Sequence, residues 1–469
     1  MNAQEASVTI LAFMNDSTST PFFSRRVCRL VLPALLLGIP FSSVHATSLS
    51  LGADYLLRGV STTERDKTID GKDYYDQRLV GYLITDLSKD VEATVRVQSI
   101  NPWGLEGSTT PLASRYPNAN GNLWVQNAFV RLPNIWKDRV VLTLGRQPIV
   151  WGDGAILSDD ELGFNALQAQ IKSPWRRFDF DVEGFTAKIN DSITGNKDTD
   201  LNGVLLGFDR EIFRWEFMGL WEKNRGTQDY EMGAETSTLP TSNLDRMIYG
   251  VRLRTNVKDA YLKGEYYQQA GSFEREGGQK IKLGGDAYIL GLGAKQNTAR
   301  FGRFGVVAEY AYSSGDKPST PSIDESFRPD FAARWSGLER KGYGGYFAAT
   351  LSDAYSPNNP FGAASAANSG LPAGTSGLKI IKFGIESTPW SPFTLSIYFY
   401  QYTASSNLSG TKDLGSEFDY GISYRYSGLV TFRASSNIFT PGDAYEDPSQ
   451  IIDNRKKASM NTFDAEVKF

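Results

Sequence analysis

Val91-Glu92-Ala93-Thr94-Val95-Arg96-Val97-Gln98 alternates apolar and polar residues without a break. Val91, Ala93, Val95 and Val97 take every second place, and Glu92, Thr94, Arg96 and Gln98 fill the places between. Successive side chains of an extended strand point to opposite faces, so this stretch builds one oily face and one wet face. A helix, with its repeat of about 3.6 residues, would scatter the same residues around its circumference.

The period returns in Phe213 to Phe217, Met247 to Leu253, Phe304 to Tyr310 and Phe393 to Phe399, with aromatics gathered towards the strand ends. With their flanks these stretches approach about ten residues, the length of a tilted strand that crosses a bilayer. From Thr47 onward no segment has the run of about 18 apolar residues that a membrane-spanning helix needs. Gly (45), Phe (27), Tyr (23) and Trp (9) are spread along the chain, which favours one architecture over several soluble domains.

Connections alternate in length. Short links at Ser88 to Asp90, Ser173-Pro174-Trp175, Asn256 to Asp259, Thr388 to Pro392 and Ser427-Gly428 separate paired strands. Longer polar connections rich in Gly, Asp, Ser, Pro and Asn run between the pairs, as in barrels with short periplasmic turns and long outer loops. Strands are expected near 48–58, 75–87, 91–100, 122–132, 139–147, 163–172, 177–188, 200–210 and 213–223. A second set is expected near 245–255, 260–270, 283–295, 302–313, 377–387, 393–402, 415–426, 429–438 and 460–469. The expected fold is therefore all-β, a membrane-spanning antiparallel β-barrel of about 18 strands occupying residues 47–469. A candidate strand at Gly342 to Thr350 would put a short turn on the wrong side, so 314–376 reads as one long extracellular or lumenal loop. A loop of that length suits a constriction or lid, with a plain surface loop as the alternative.

Arg25, Arg26 and Arg29 precede a mostly apolar run from Leu30 to Pro40 and a small-residue ending at Val44-His45-Ala46. Residues 1–46 therefore read as a cleaved signal peptide, with Met1 and Met14 both open as the start. The only Cys is Cys28 and the only His is His45. Without them the mature chain has no disulfide, no His or Cys zinc site and no His-based triad, and no cofactor or metal is implied. The full chain carries a formal charge of −4 and the leader +1, leaving −5, which does not suit nucleic acid.

If the apolar face meets lipid, the charged face lines the lumen, because a charge at mid-membrane costs roughly 2–4 kcal/mol on the lipid side. The lumen candidates for a solute path are Arg96, Arg131, Arg146, Arg214, Arg246, Arg252, Arg254, Lys263, Glu265, Glu417, Asp419 and Arg433. Lys172, Glu216 and Glu309 share that face, and Asp179, Asp181 and Glu183 form an acidic patch. Arginines at successive depths offer weak sites to carboxylates, whereas pairing across neighbouring strands explains the same charges equally well. Gly152-Asp153-Gly154 and Asp159-Asp160 have the residue types of a divalent-cation loop, but turn chemistry explains them better. Carboxylate pairs such as Glu417 and Asp419 are expected on any lumen wall, so no catalytic residue is assigned and the chain does not read as an enzyme. The last strand alternates Phe463, Ala465, Val467 and Phe469 with Asp464, Glu466 and Lys468. Its terminal Phe469 resembles the signal by which barrel-assembly machinery recognises its clients.

Several blocks are more specific. Leu142-Thr143-Leu144-Gly145-Arg146-Gln147, Gly152-Asp153-Gly154 and Gly163-Phe164-Asn165-Ala166-Leu167 resemble the alginate-export family of outer-membrane barrels. Val125 to Ala128, Lys341 to Gly344, Leu414 to Asp419 and Phe439 to Ala444 are similar to further blocks of that family, in order along the chain. The resemblance implies an eighteen-stranded barrel in a Gram-negative outer membrane, with an Arg-lined constriction conducting a polyuronate. It places Arg146, Arg131 and Glu417 among lumen groups. The face read above is mixed in sign, where an exporter of polyanions would be plainly basic. The leading expectation is a porin for a small polar solute or acidic saccharide. The alternative is a barrel acting as a sleeve for a periplasmic partner protein of a secretion or electron-transfer complex.

Overall fold

The structure is a computed structural model. It describes residues 48–469 apart from 65–70, 104–122, 137–138, 174–178, 191–197, 227, 231–238, 276, 299–301, 355–369, 373 and 447–454. The expected leader, 1–46, and Pro174 and Trp175 of one expected link lie outside the described residues.

Eighteen long strands follow one another around a closed antiparallel barrel. The first nine are β1 (Ser48–Thr63), β2 (Lys72–Ser88), β3 (Val91–Pro102), β4 (Trp124–Ile135), β5 (Val140–Gln147), β6 (Phe164–Lys172), β7 (Asp179–Asn190), β8 (Thr199–Arg210) and β9 (Phe213–Asn224). The others are β10 (Leu239–Val257), β11 (Ala260–Arg275), β12 (Asp286–Thr298), β13 (Gly302–Ser313), β14 (Thr375–Thr388), β15 (Phe393–Asn407), β16 (Asp413–Arg425), β17 (Val430–Pro441) and β18 (Ala458–Lys468). Each pairs antiparallel with its sequence neighbours, and β1 pairs with β18 from Asp54↔Lys468 to Thr63↔Ser459. Closure leaves no open edge, so ladder N–H and C=O groups find partners without water.

Strand β8 shows why this sequence closes in this sense. Leu201, Gly203, Leu205 and Gly207 are buried, whereas Val204, Leu206 and Phe208 are exposed. The outward positions continue around the wall with Phe217, Leu290, Phe383, Phe418 and Ile422, all exposed. A belt of large apolar side chains turned outward on every side is the surface of a barrel that sits in lipid.

Several strands outrun their sequence-based bounds: β10 begins at Leu239 rather than near 245, and β1 runs to Thr63 rather than 58. Beyond the lipid belt both faces of a strand meet water or loops, so the alternation that marks a strand fades while the ladder continues.

The inward face departs from the expectation in composition. Phe185, Leu201, Leu205, Met218, Leu220, Ile248, Tyr400, Tyr402 and Phe439 point inward and belong to one apolar core with Trp151, Ile156, Leu157, Phe327 and Phe347. The second group comes from connections after β5 and β13, not from strands. Charge therefore does not line the whole lumen, because inturned loops keep part of the wall dry.

Candidate functional site: the lumen and its two inner segments

The first inner segment, 148–163, follows β5. Trp151 packs edge-on against Phe185 of β7, with ring centroids 5.5 Å apart, and its Nε1 donates to Glu183 Oε1 at 2.9 Å. Next in sequence, Gly152 has φ +61°, and a Cβ there would lie 2.8 Å from the Arg252 guanidinium. Only glycine suits both demands.

This turn delivers Asp153 to a cluster of cations on β10 and β11. Asp153 Oδ1 accepts from Arg254 Nη2 at 2.7 Å and Arg252 Nη2 at 3.3 Å, and Oδ2 accepts from Lys263 Nζ at 3.1 Å. Burial alone would raise the Asp153 carboxyl, but Lys263 and Arg254 outweigh it and hold the group below the ordinary carboxylate range. Asp153 thus ties the segment to the wall through cations, which is the opposite of a cation-binding loop. Among the described residues no group of acidic side chains has the arrangement of a metal site.

Around this corner the charges alternate. Arg252 donates to Glu216 at 2.8 Å and to Glu265 at 3.1 Å, and Lys263 pairs with Glu309 at 2.7 Å. Arg214 reaches Glu216 at 2.8 Å, Asp181 at 3.2 Å and also Asp209. The band thus runs from β7 to β13, and five of the expected path residues meet in it: Arg214, Arg252, Arg254, Lys263 and Glu265.

The second inner segment, 323–354, follows β13 and crosses between walls. Arg246 on β10 takes Glu222 at 2.5 Å on its own wall, together with Asp330 and the Arg328 carbonyl of the segment. Arg58 on β1 donates to the Leu338 carbonyl at 2.6 Å and pairs with Asp76. On β16, Glu417 accepts the backbone N–H groups of Tyr346 at 2.6 Å and Phe347 at 3.0 Å, and the Tyr402 hydroxyl at 3.1 Å. Asp419 accepts the Gly345 N–H at 2.9 Å. Phe347 stacks on Phe439 with centroids 4.8 Å apart. Gly344, at φ +88°, lies against Tyr402 and Glu417 where a Cβ has no room.

The two segments also hold each other. Ser158 N–H donates to the Phe331 carbonyl and Ala333 N–H to the Gly154 carbonyl, both at 2.7 Å. Asp160 accepts Arg334 N–H at 2.9 Å, and Glu161 joins Ser336 at 2.9 Å and Arg78 on β2. Asp159 sits beneath this clasp. Burial lifts its carboxyl to about 6, although the Gly163 N–H pulls the other way.

The remaining expected residues lie apart. Arg96 on β3 sits over the Tyr82 ring, 5.8 Å from its centroid. Arg131 pairs with Glu92 at 3.3 Å. Arg146 holds the Leu162 carbonyl at 2.6 Å at the foot of the first segment. Arg433 on β17 pairs with Glu466 and reaches Glu339 at 3.6 Å. Burial separates these groups by task. The Arg246 and Arg252 side chains are 1% and 3% exposed and held by protein partners that include Asp330 and Asp153 of the inner segments. Arg254 remains 44% exposed, with Asp153 as its one ionic partner among the described residues. Sequence reasoning missed Trp151, Asp153, Glu161, Tyr343 and Phe347 as lumen groups. For Asp153 the flanking Gly152 and Gly154 were the available signal.

No family model matches the chain, and no curated relative matches it either. Among solved structures, OccAB1 of Acinetobacter baumannii is similar over 91% of this chain and 99% of its own, with 10% identity and a TM-score of 0.51. OccK9 (OpdG) of Pseudomonas aeruginosa is similar over 90% of this chain and 98% of its own, with 11% identity and a TM-score of 0.50. At such identity the likeness is one of fold: this chain has the architecture of Gram-negative outer-membrane β-barrels.

Proposed function

We propose that the chain is an outer-membrane channel for a small polar solute, with acidic saccharides of the uronate type as the finer reading. One observation carries it: a closed barrel whose lumen is narrowed by its own inturned segments, beside a band of charge in which Arg214 and Arg254 stay partly exposed. Bound groups in the band are held by partners of opposite sign, so an entering carboxylate exchanges one ion pair for another and leaves as readily as it arrives. The blocks similar to alginate exporters support uronates as the acidic solute, while the mixed charge favours short chains over long polyanions. The sleeve reading, with a periplasmic partner in the lumen, would require both inner segments to leave the space they fill. Glu417 spends both oxygens on the backbone N–H groups of Tyr346 and Phe347, and Asp419 spends one on that of Gly345, which supports an anchoring role over catalysis.

Planar-bilayer recording tests this reading. The purified protein should conduct ions, prefer anions, and show current interruptions with uronate oligomers. A barrel that inserts and stays electrically silent overturns it. Arg254→Ala should reduce anion preference, and an unchanged reversal potential would remove Arg254 from the path.

A further inference from the structure

Towards the short-turn end, β14 to β18 and the 339–345 stretch of the second inner segment line an open cavity of about 340 Å³. That is within the range of small-molecule sites, which run from roughly 300 to 1,000 Å³. One of its walls carries Asp464, only 5% exposed, whose Oδ1 is buried and receives no hydrogen bond from the described residues. A buried carboxylate oxygen with no donor is costly unless something else supplies one.

The neighbouring wall is rich in groups that both donate and accept. Ser435 and Thr462 share one hydrogen bond at 2.8 Å, and Asn437 Nδ2 also donates to Ser435 Oγ at 3.4 Å, so Thr462 keeps the freer hydroxyl for the cavity. Ser396 adds another such group, Asn437 lines the cavity with its Nδ2 held by the Met460 carbonyl at 3.0 Å, and Tyr398 supplies ring surface. The cations offer little to an anion. Arg58 is consumed by Asp76 and the Leu338 carbonyl, and Arg433 is held by Glu466 and Glu339. Counting the lining groups Arg58, Arg340, Arg433, Glu339, Glu386 and Asp464 with the flanking Asp76 and Glu466 gives three cations against five carboxylates.

We infer that this cavity is a subsite for a polyhydroxylated solute of monosaccharide size, recognised through its hydroxyl groups, with one of them donating to Asp464. The inference rests on the channel reading and narrows it: the carboxylate band near Asp153 and this subsite then read different parts of a saccharide.

Saturation-transfer NMR on the full chain in detergent micelles tests it, with glucose, glucuronate and propionate as probes. Glucose and glucuronate should bind with millimolar dissociation constants and propionate should not. Asp464→Leu should weaken glucose by about tenfold or more, the loss of one hydrogen bond to a charged group. Thr462→Val, nearly isosteric and outside the buried core, should weaken it by roughly threefold and decides the matter if Asp464→Leu does not fold. Absence of a glucose signal, binding of propionate as tight as glucose, or an unchanged constant in the folded variants overturns the subsite. Ion conductance is recorded on the same preparation. A silent barrel that still binds glucose sinks the channel and spares the subsite, and a conducting barrel without a glucose signal does the reverse.

Discussion

The two inner segments reach the barrel wall by different chemistry. At Asp153 the contact is ionic, half exposed, and shared among three cations, two of which, Arg252 and Lys263, have other carboxylates to turn to. At Glu417 it is buried, made by backbone N–H groups on a carboxylate, and capped by the stacked rings of Phe347, Tyr346 and Phe439. Exposed ion pairs contribute little and are screened by salt, whereas a desolvated carboxylate holding backbone donors leaves both sides unsatisfied when broken. The first anchor can exchange partners at small cost, and the second resists displacement. The constriction thus has an adjustable side on β10 and β11 and a fixed side on β16 and β17.

Removing the fixed anchor should have the largest effect. Glu417→Ala strands two backbone N–H groups and should cost about 3 kcal/mol of attachment, raising the detached population of 341–350 roughly a hundredfold. Single-channel recordings should then show frequent high-conductance openings, and wild-type traces in this variant would erase the contrast. Asp153→Asn is expected to do less to conductance and more to selectivity. It leaves Arg254 and Lys263 without that carboxylate, and a contribution of about 0.6 kcal/mol amounts to roughly a threefold rise in the anion-to-cation permeability ratio. Salt sharpens the distinction further. At about 1 M, where the Debye length falls to roughly 3 Å, flicker arising from 148–163 should increase while openings from the Glu417 side stay rare.

The smallest effect concerns pH. Asp159 has its carboxyl raised to about 6 by burial, so the folded segment favours the protonated form. Its contribution is complete at low pH and is lost as pH rises through about 6. Amide exchange in 148–163, corrected for its intrinsic pH dependence, should be slower at about pH 5 than at about pH 7. Asp159→Asn should abolish that difference, and a difference that survives would move the cause elsewhere.

Much of the wall was legible because lipid imposes a rule that repeats with period two. Val91 to Gln98, Phe304 to Tyr310 and Phe393 to Phe399 are strands for that reason, and the count of eighteen follows from short and long links in alternation. Gly342 to Thr350, read as part of a loop despite its candidate strand, lacks that period: Tyr346, Phe347 and Ala349 are all buried in the core, and it forms only a bridge between Tyr343 and Ala349. The site was legible only as a set of inward charges. Which of them face solvent depends on what lies opposite, and nothing local to Arg246 or Arg252 announces Asp330 or Asp153 as partners across the lumen. The apolar inward positions Leu201, Leu205 and Phe439 were the unused clue, since a wet wall would not carry them.

Segments 148–163 and 323–354 emerge at the end of the barrel opposite the termini and turn inward. Whatever approaches the bacterium from outside, antibody or phage, therefore meets a shorter stretch of this polypeptide than its connections would supply if they stood upright. Chain spent inside the cylinder is chain withheld from view.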